Sequence, residues 1–290
     1  MEGDALNAIL QISLLVFVVS SMLAMGLSLT VSQIIAPLRN ARLVVVALVI
    51  NFIAVPILAV GIDALIALDE GLYIGLILMA TAAGAPFLPK LGEAAKGNIA
   101  FSVGLMVLLM VVTVVYMPIV VPLLISGVEI NPWDIASSLI FLMLLPLGIG
   151  LLMKWRYNKA AEGLQPAMAQ TSTVAIALLL VSGVVVNFTA ILDIIGTGGF
   201  IAILLFLVGA FIFGYFGAGR DAGVRSVLGL GTAQRNLSAA MVVAGQNFAS
   251  DPDVLTFIIV AGIVGLLVLM PLAGELGRRS DTNLIVDLSA

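Results

Sequence analysis

The chain has 290 residues, of which 62% are hydrophobic and only 10% charged. A soluble domain carries about 25% charged residues, so nearly all of this chain belongs in lipid. The net charge of −4 says little, because charge position outweighs charge sum in a membrane protein. The absence of Cys and His excludes a disulfide framework, thiolate or HExxH-type metal sites and the usual neutral-pH proton shuttle.

Apolar runs long enough to span a bilayer, about 20 residues each, fall at 6–31, 41–66, 71–95, 98–125, 134–154, 168–192, 199–219, 223–248 and 253–277. They predict an all-α polytopic membrane protein of nine transmembrane helices. The acidic start, Met1-Glu2-Gly3-Asp4, reads as a retained first span rather than a secretory signal, which opens on positive charge. Turn residues and charges mark the breaks, among them Pro37-Leu38-Arg39-Asn40, Asp69-Glu70-Gly71, Asn131-Pro132-Trp133-Asp134 and Ser250-Asp251-Pro252-Asp253.

Charge placement tests the count. With the N-terminus outside, the inner loops hold Arg39, Arg42, Lys96, Lys154, Arg156, Lys159, Arg220, Arg225, Arg278 and Arg279. The outer loops then hold acids, such as Asp63, Asp69, Glu70, Glu129, Asp134, Asp193, Asp251 and Asp253, and no cation. This agrees with the positive-inside rule and predicts a multi-pass protein of the cell (inner) membrane with a cytoplasmic C-terminus. Only Lys90 and Arg235 stand outside the partition.

Each of those two cations sits where the sequence breaks the rules for crossing lipid. The first stretch is Gly84-Ala85-Pro86-Phe87-Leu88-Pro89-Lys90 and the second Gly229-Leu230-Gly231-Thr232-Ala233-Gln234-Arg235-Asn236. Pro86 and Pro89 remove backbone donors and clash with the preceding turn, and irregular backbone survives in lipid only inside protein or beside a cavity. Both breaks lie in the middle member of a hydrophobic triplet, spans 2–4 and spans 7–9. This predicts an inverted repeat with two broken helices, spans 3 and 8, and a substrate site at the breaks. Asn51, Ser102, Thr113 and Asn187 are further polar residues within spans; for Thr113 and Asn187, bonding a neighbouring helix is the favoured reading. Pro56, Pro118, Pro122, Pro146 and Pro271 read as kinks. Lys90 and Arg235 could also snorkel to the cytoplasmic surface, and Lys90 could pair with Glu93 one turn on.

With those residues in view, the chain resembles the bile acid:sodium symporter family over essentially its whole length. Met25-Gly26-Leu27-Ser28-Leu29, Lys96-Gly97-Asn98-Ile99-Ala100-Phe101-Ser102, the Pro118…Pro122 pair and Gln234-Arg235-Asn236 fall in the family's order and spacing. The resemblance implies one transmembrane transporter domain, 1–290, with a panel of spans 1, 5 and 6 and a core of spans 2–4 and 7–9. Its broken helices would cross, and it would take up organic anions by alternating access, driven by sodium.

It also implies sodium ligands that are missing here. A Ser-Asn pair of the family falls on Leu88 and Pro89, a Glu on Gly231, a Gln on Arg235 and a Gln of span 2 on Asn51. A Ser/Thr survives as Ser102 while its partner becomes Met106. The expected site is therefore Lys90, Arg235, Asn236, Gln234, Thr232, Asn51, Ser102, Pro86 and Pro89, with no metal ligands and no cofactor. In it Arg235 would be a permanent charge able to clamp a carboxylate, and Lys90 a group able to lose its proton when desolvated. The coupling ion is sodium by resemblance, and a proton or nothing by residue content. Expected partners are the bilayer and a small organic anion, with no nucleic acid; the oligomeric state is open. A cation/proton antiporter of the same crossed-helix design is the alternative, though it needs an intramembrane carboxylate. No residue set fits an intramembrane enzyme.

Overall fold

The computed structural model describes residues 2–35, 39–125, 131–186, 188, 194 and 196–289, and these are helical, with no strand among them. Pro37, Leu38, Glu129, Asn187 and Asp193 lie outside the described residues. In chain order the helices are α1 (Glu2–Ser28) and α2 (Val31–Ile35), then α3 (Ala41–Ile66). The first broken element follows as α4 (Glu70–Thr81) and α5 (Leu88–Ala94). Next come α6 (Ile99–Leu124), α7 (Pro132–Arg156) and α8 (Asn158–Val186). After α9 (Gly199–Gly217) the second broken element forms α10 (Ala222–Ala233) and α11 (Leu237–Asn247), and α12 (Pro252–Ser289) closes the chain. Among the described residues, six helices are long and apolar enough to cross a membrane: those containing Gln11–Ser28, Ala41–Ile66, Ile99–Leu124, Pro132–Arg156, Gly199–Gly217 and Pro252–Ser280.

Close packing between helices follows the small residues. α1 runs against α7 and α8, and a Cβ on Gly26 would stand 2.3 Å from the Leu147 carbonyl oxygen and 2.9 Å from Gly150 Cα. Only glycine at both positions lets the two backbones meet this closely. The Met25-Gly26 motif is thus a helix crossing. Gly97 does similar work at the start of α6. Its added Cβ would lie 3.0 Å from the Gly223 carbonyl oxygen, while the Asn98 side chain caps α6 by accepting from Phe101 N–H at 2.9 Å.

The prolines act differently from one another. Pro118, Pro122 and Pro271 lie within continuous helices. Pro56 follows a π turn at Ile50–Ala54 and Pro146 follows one at Ile140–Leu144. Pro56 has no N–H to offer the Phe52 carbonyl, and the Tyr116 hydroxyl of α6 donates to that carbonyl instead at 2.5 Å. The π turn puts Asn51 on the face that meets the two breaks. Local insertions of this kind gather at functional sites.

Candidate functional site: the crossing of the two breaks

α4 ends at Thr81 and α5 starts at Leu88. Gly84 sets this break, with φ +83°. A Cβ there would also stand 2.3 Å from Met110 N of α6, so glycine is required by conformation and by space. The backbone of Ala83 is held by one side chain: Thr113 Oγ1 accepts from its N–H and donates to its carbonyl, both at 3.0 Å. The break spans 82–87, earlier than the sequence suggests, so Lys90 lies on the first turn of α5.

The second break is shorter. α10 runs unbroken through Gly229 and Gly231 to Ala233, and only 234–236 are irregular. Gly229 instead makes room for Phe211, and Gly231 for Leu88, whose Cδ2 would lie 2.7 Å from an added Cβ. Asn236 restarts the helix: its Oδ1 accepts from Ala239 N–H at 3.1 Å.

The two breaks meet. Asn236 N–H donates to the Ala82 carbonyl at 2.9 Å, and Asn236 Nδ2 donates to the Gly84 carbonyl at 3.1 Å. Arg235 fills the junction and is only 1% exposed. Its Nε donates to the Met79 carbonyl at 3.0 Å and its Nη2 to the Ala80 carbonyl at 2.7 Å. Its Nη1 donates to Asn51 Oδ1 at 2.8 Å and to the Thr232 carbonyl at 3.1 Å. Asn51 is oriented in turn, since its Nδ2 donates to the Ala47 carbonyl at 3.0 Å and to Thr232 Oγ1 at 3.2 Å.

Met79 and Ala80 close the last turn of α4, and Thr232 closes that of α10. Their carbonyls have no partner within the helix. A helix C-terminus carries roughly −0.5 charge, so two of them offset about one positive charge. Arg235 is that charge, and it caps both helices at once. No Asp or Glu is buried among the described residues, so carbonyl dipoles alone balance the guanidinium.

The structure thus brings Asn51, Thr232 and Arg235 into one bonded cluster, with Asn236 next to it bonded to the backbone of the first break. Ser102 is buried but donates to the Ile99 carbonyl of its own helix at 2.8 Å. Pro86 and Pro89 are half-buried in and beside the first break. Gln234 is 6% exposed. Its backbone N–H bonds the Leu230 carbonyl, while its side-chain amide makes no hydrogen bond among the described residues. No fully buried side-chain nitrogen or oxygen lacks a partner, so this amide opens onto accessible space. Lys90 is exposed; neither a hydrogen bond of its side chain nor an ion pair with Glu93 occurs among the described residues. It is not brought together with Arg235.

Two participants were not singled out as such in the sequence. Thr113, read as a bond to a neighbouring helix, proves to hold the break itself. Tyr116 carried no polar motif; its signal was Pro56, which strips the Phe52 carbonyl of a partner 64 residues away.

Comparison with known proteins adds the evolutionary context. A model of the sodium bile acid symporter family matches residues 14–197. The protein described as probable sodium/metabolite cotransporter BASS3, chloroplastic, of Arabidopsis thaliana is 25% identical over 253 residues, covering 84% of this chain and 59% of that one. Its counterpart in Oryza sativa subsp. japonica is 24% identical over 196 residues, covering 67% and 46%. Probable sodium/metabolite cotransporter BASS1, chloroplastic, of Arabidopsis thaliana is 23% identical over 234 residues, covering 79% and 58%. The chain therefore spans about half to six-tenths of the length of these relatives. A family match over well more than half of its residues decides the assignment: this chain belongs to the sodium bile acid symporter family.

Proposed function

We propose that the chain is a secondary transporter that carries a small organic anion by alternating access and does so without sodium. The observation behind this is the Arg235 cage. Backbone carbonyls at the ends of broken helices, together with a side-chain amide, form the ligand set a sodium ion would use, and here a guanidinium fills it. Arg235 acts as a fixed cation rather than a carboxylate clamp, because four of its five N–H donors are spent on protein acceptors and the side chain is enclosed. At the positions where the family resemblance puts further sodium ligands, Leu88 packs against Gly231 and Met106 is buried, so hydrocarbon takes the place of oxygen.

Nine crossings give this reading its architecture: the six long apolar helices, α8, and the pairs α4/α5 and α10/α11. α1, α7 and α8 pack on one another and form the panel. α3 to α6 and α9 to α12 form the core, as two inverted triplets each broken in its middle member. Gln234 and Lys90 supply the polar contacts to the anion, since the side-chain donors of both are unused among the described residues. The relatives are described as probable sodium/metabolite cotransporters; the metabolite part of that description transfers to this chain and the sodium part does not. A cation/proton antiporter is disfavoured by the absence of a buried carboxylate among the described residues.

The test is uptake of labelled organic anions into proteoliposomes, with sodium replaced by potassium or N-methyl-D-glucamine. Saturable uptake, equal in all three, is expected. A strict sodium requirement overturns the reading, and a pH gradient collapsed by added sodium or lithium points to the antiporter.

A further inference from the structure

A second polar cavity lies away from the crossing, between the start of α3 and the end of α9. It has a volume of about 320 Å³ and is lined by Asn40, Arg42, Leu43, Val46, Arg220 and Asp221, among others. The side chains of Arg42 and Arg220 make no hydrogen bond or ion pair among the described residues. The one acid in the lining is occupied, since Asp221 Oδ1 accepts from Val224 N–H at 2.8 Å to cap α10. Asn40 caps α3 likewise, from Leu43 N–H at 3.2 Å. Two helix N-termini, each with a partial positive charge, therefore open toward a cavity that already holds two guanidinium groups with no acid paired to them among the described residues.

The surface that runs away from this cavity is apolar. One turn and more beyond Arg42, α3 exposes Val45, Val49 and Ile53. One and two turns before Arg220, α9 exposes Phe216 and Phe213. The two helices touch just there: a Cβ on Gly217 would lie 2.3 Å from Ile50 Cδ1 and 3.5 Å from Val46 Cγ1. The apolar stripes thus flank one seam that starts under the two arginines. A cationic pocket above a hydrocarbon seam matches a molecule with a phosphate head and acyl chains. A free phosphate would use only the pocket.

We propose that the cavity between Arg42 and Arg220 is a binding site for an anionic phospholipid, with its phosphate between the two arginines and its chains along Val45, Val49 and Phe216. The charge pattern assigns this end of α3 and α9 to the cytoplasmic face, where anionic lipid attracts basic side chains. A lipid here joins α3 to the α9–α10 link.

The experiment uses the full chain in detergent, titrated with nanodiscs or mixed micelles containing phosphatidylglycerol, phosphatidylcholine or neither, with retention read by native mass spectrometry and by Tm. The wild type retains phosphatidylglycerol and gains Tm from it, while phosphatidylcholine and inorganic phosphate do neither. The R42Q/R220Q pair loses about 25-fold in apparent affinity, about 5-fold per arginine, while Arg156→Gln, a control outside the cavity, retains the lipid. The charge-keeping R42K/R220K pair recovers binding, which guards against a folding artefact in the Gln pair. Equal retention by wild type and R42Q/R220Q overturns the proposal. So does inorganic phosphate that competes fully with the lipid, which makes the pocket a free-anion site. None of these readouts involves transport, so they stand or fall apart from the sodium question.

Discussion

Arg235 Nη1 lies 2.8 Å from Asn51 Oδ1, although 184 positions separate the two residues in sequence. Asn51 owes its place to the π turn ahead of Pro56, and Arg235 owes its place to the gap between α10 and α11. Two local departures from helical geometry are thus tied to each other. The pair is fully enclosed, so removing either partner leaves polar groups buried without a replacement.

Arg235→Met should therefore destabilise the protein by about 3–5 kcal/mol, the cost of stripping one side of a buried charged network. Tm in detergent measures it. Arg235→Gln leaves carbonyls facing vacated space that a small cation can enter. Sodium should then raise the Tm of this variant and leave that of the wild type unchanged. A sodium effect of equal size in both would contradict the fixed-cation reading.

Thr113→Val keeps the shape of the side chain and deletes both of its bonds to Ala83. It should cost about 1–3 kcal/mol, the penalty for leaving buried backbone groups unpaired. It should also slow uptake more than Thr173→Val, because Thr173 bonds only the Ala169 carbonyl of its own exposed helix.

Gly84→Ala meets both a left-handed φ and the α6 backbone, and should cost more than about 2 kcal/mol. Gly61→Ala is the matched control. It lies in α3 with nothing within 4 Å of its added Cβ, and should be neutral or stabilising by about 0.5–1 kcal/mol. Chemical denaturation of the two variants checks the contrast.

Lys90→Gln separates binding from stability. Lys90 is exposed, so its replacement should change stability by no more than about 0.5 kcal/mol. If it meets the anion, KM for uptake rises about 5-fold or more at unchanged expression and Tm. An unaltered KM would remove Lys90 from the site.

Much of this arrangement was legible in the residues. The two breaks stood out because proline, glycine and polar residues are expensive in lipid, and charge counting isolated their cations. Their crossing followed from the family resemblance. What the sequence could not supply was depth and direction. Lys90 and Arg235 look alike as lone cations in apolar runs, yet one is exposed and the other enclosed. The difference lies in the neighbouring backbone: carbonyls of Met79, Ala80 and Thr232 have no sequence signature, since every residue carries one. Gly229 and Gly231 misled for a related reason. Glycine marks flexibility and close packing with the same letter, and here it serves packing. The second break is set by Asn236, a helix start read as part of a polar run.

The Arg235 cage has a consequence for energetics at the scale of the whole cell. A bound sodium ion travels with its cargo and returns by a pump, but a guanidinium stays attached to its chain. Under the proposed mechanism an anion then crosses with its charge uncompensated. An interior at −100 mV disfavours its entry by about 2.3 kcal/mol, or roughly fifty-fold. Such a carrier would work outward by default, or inward only by trading one anion for another.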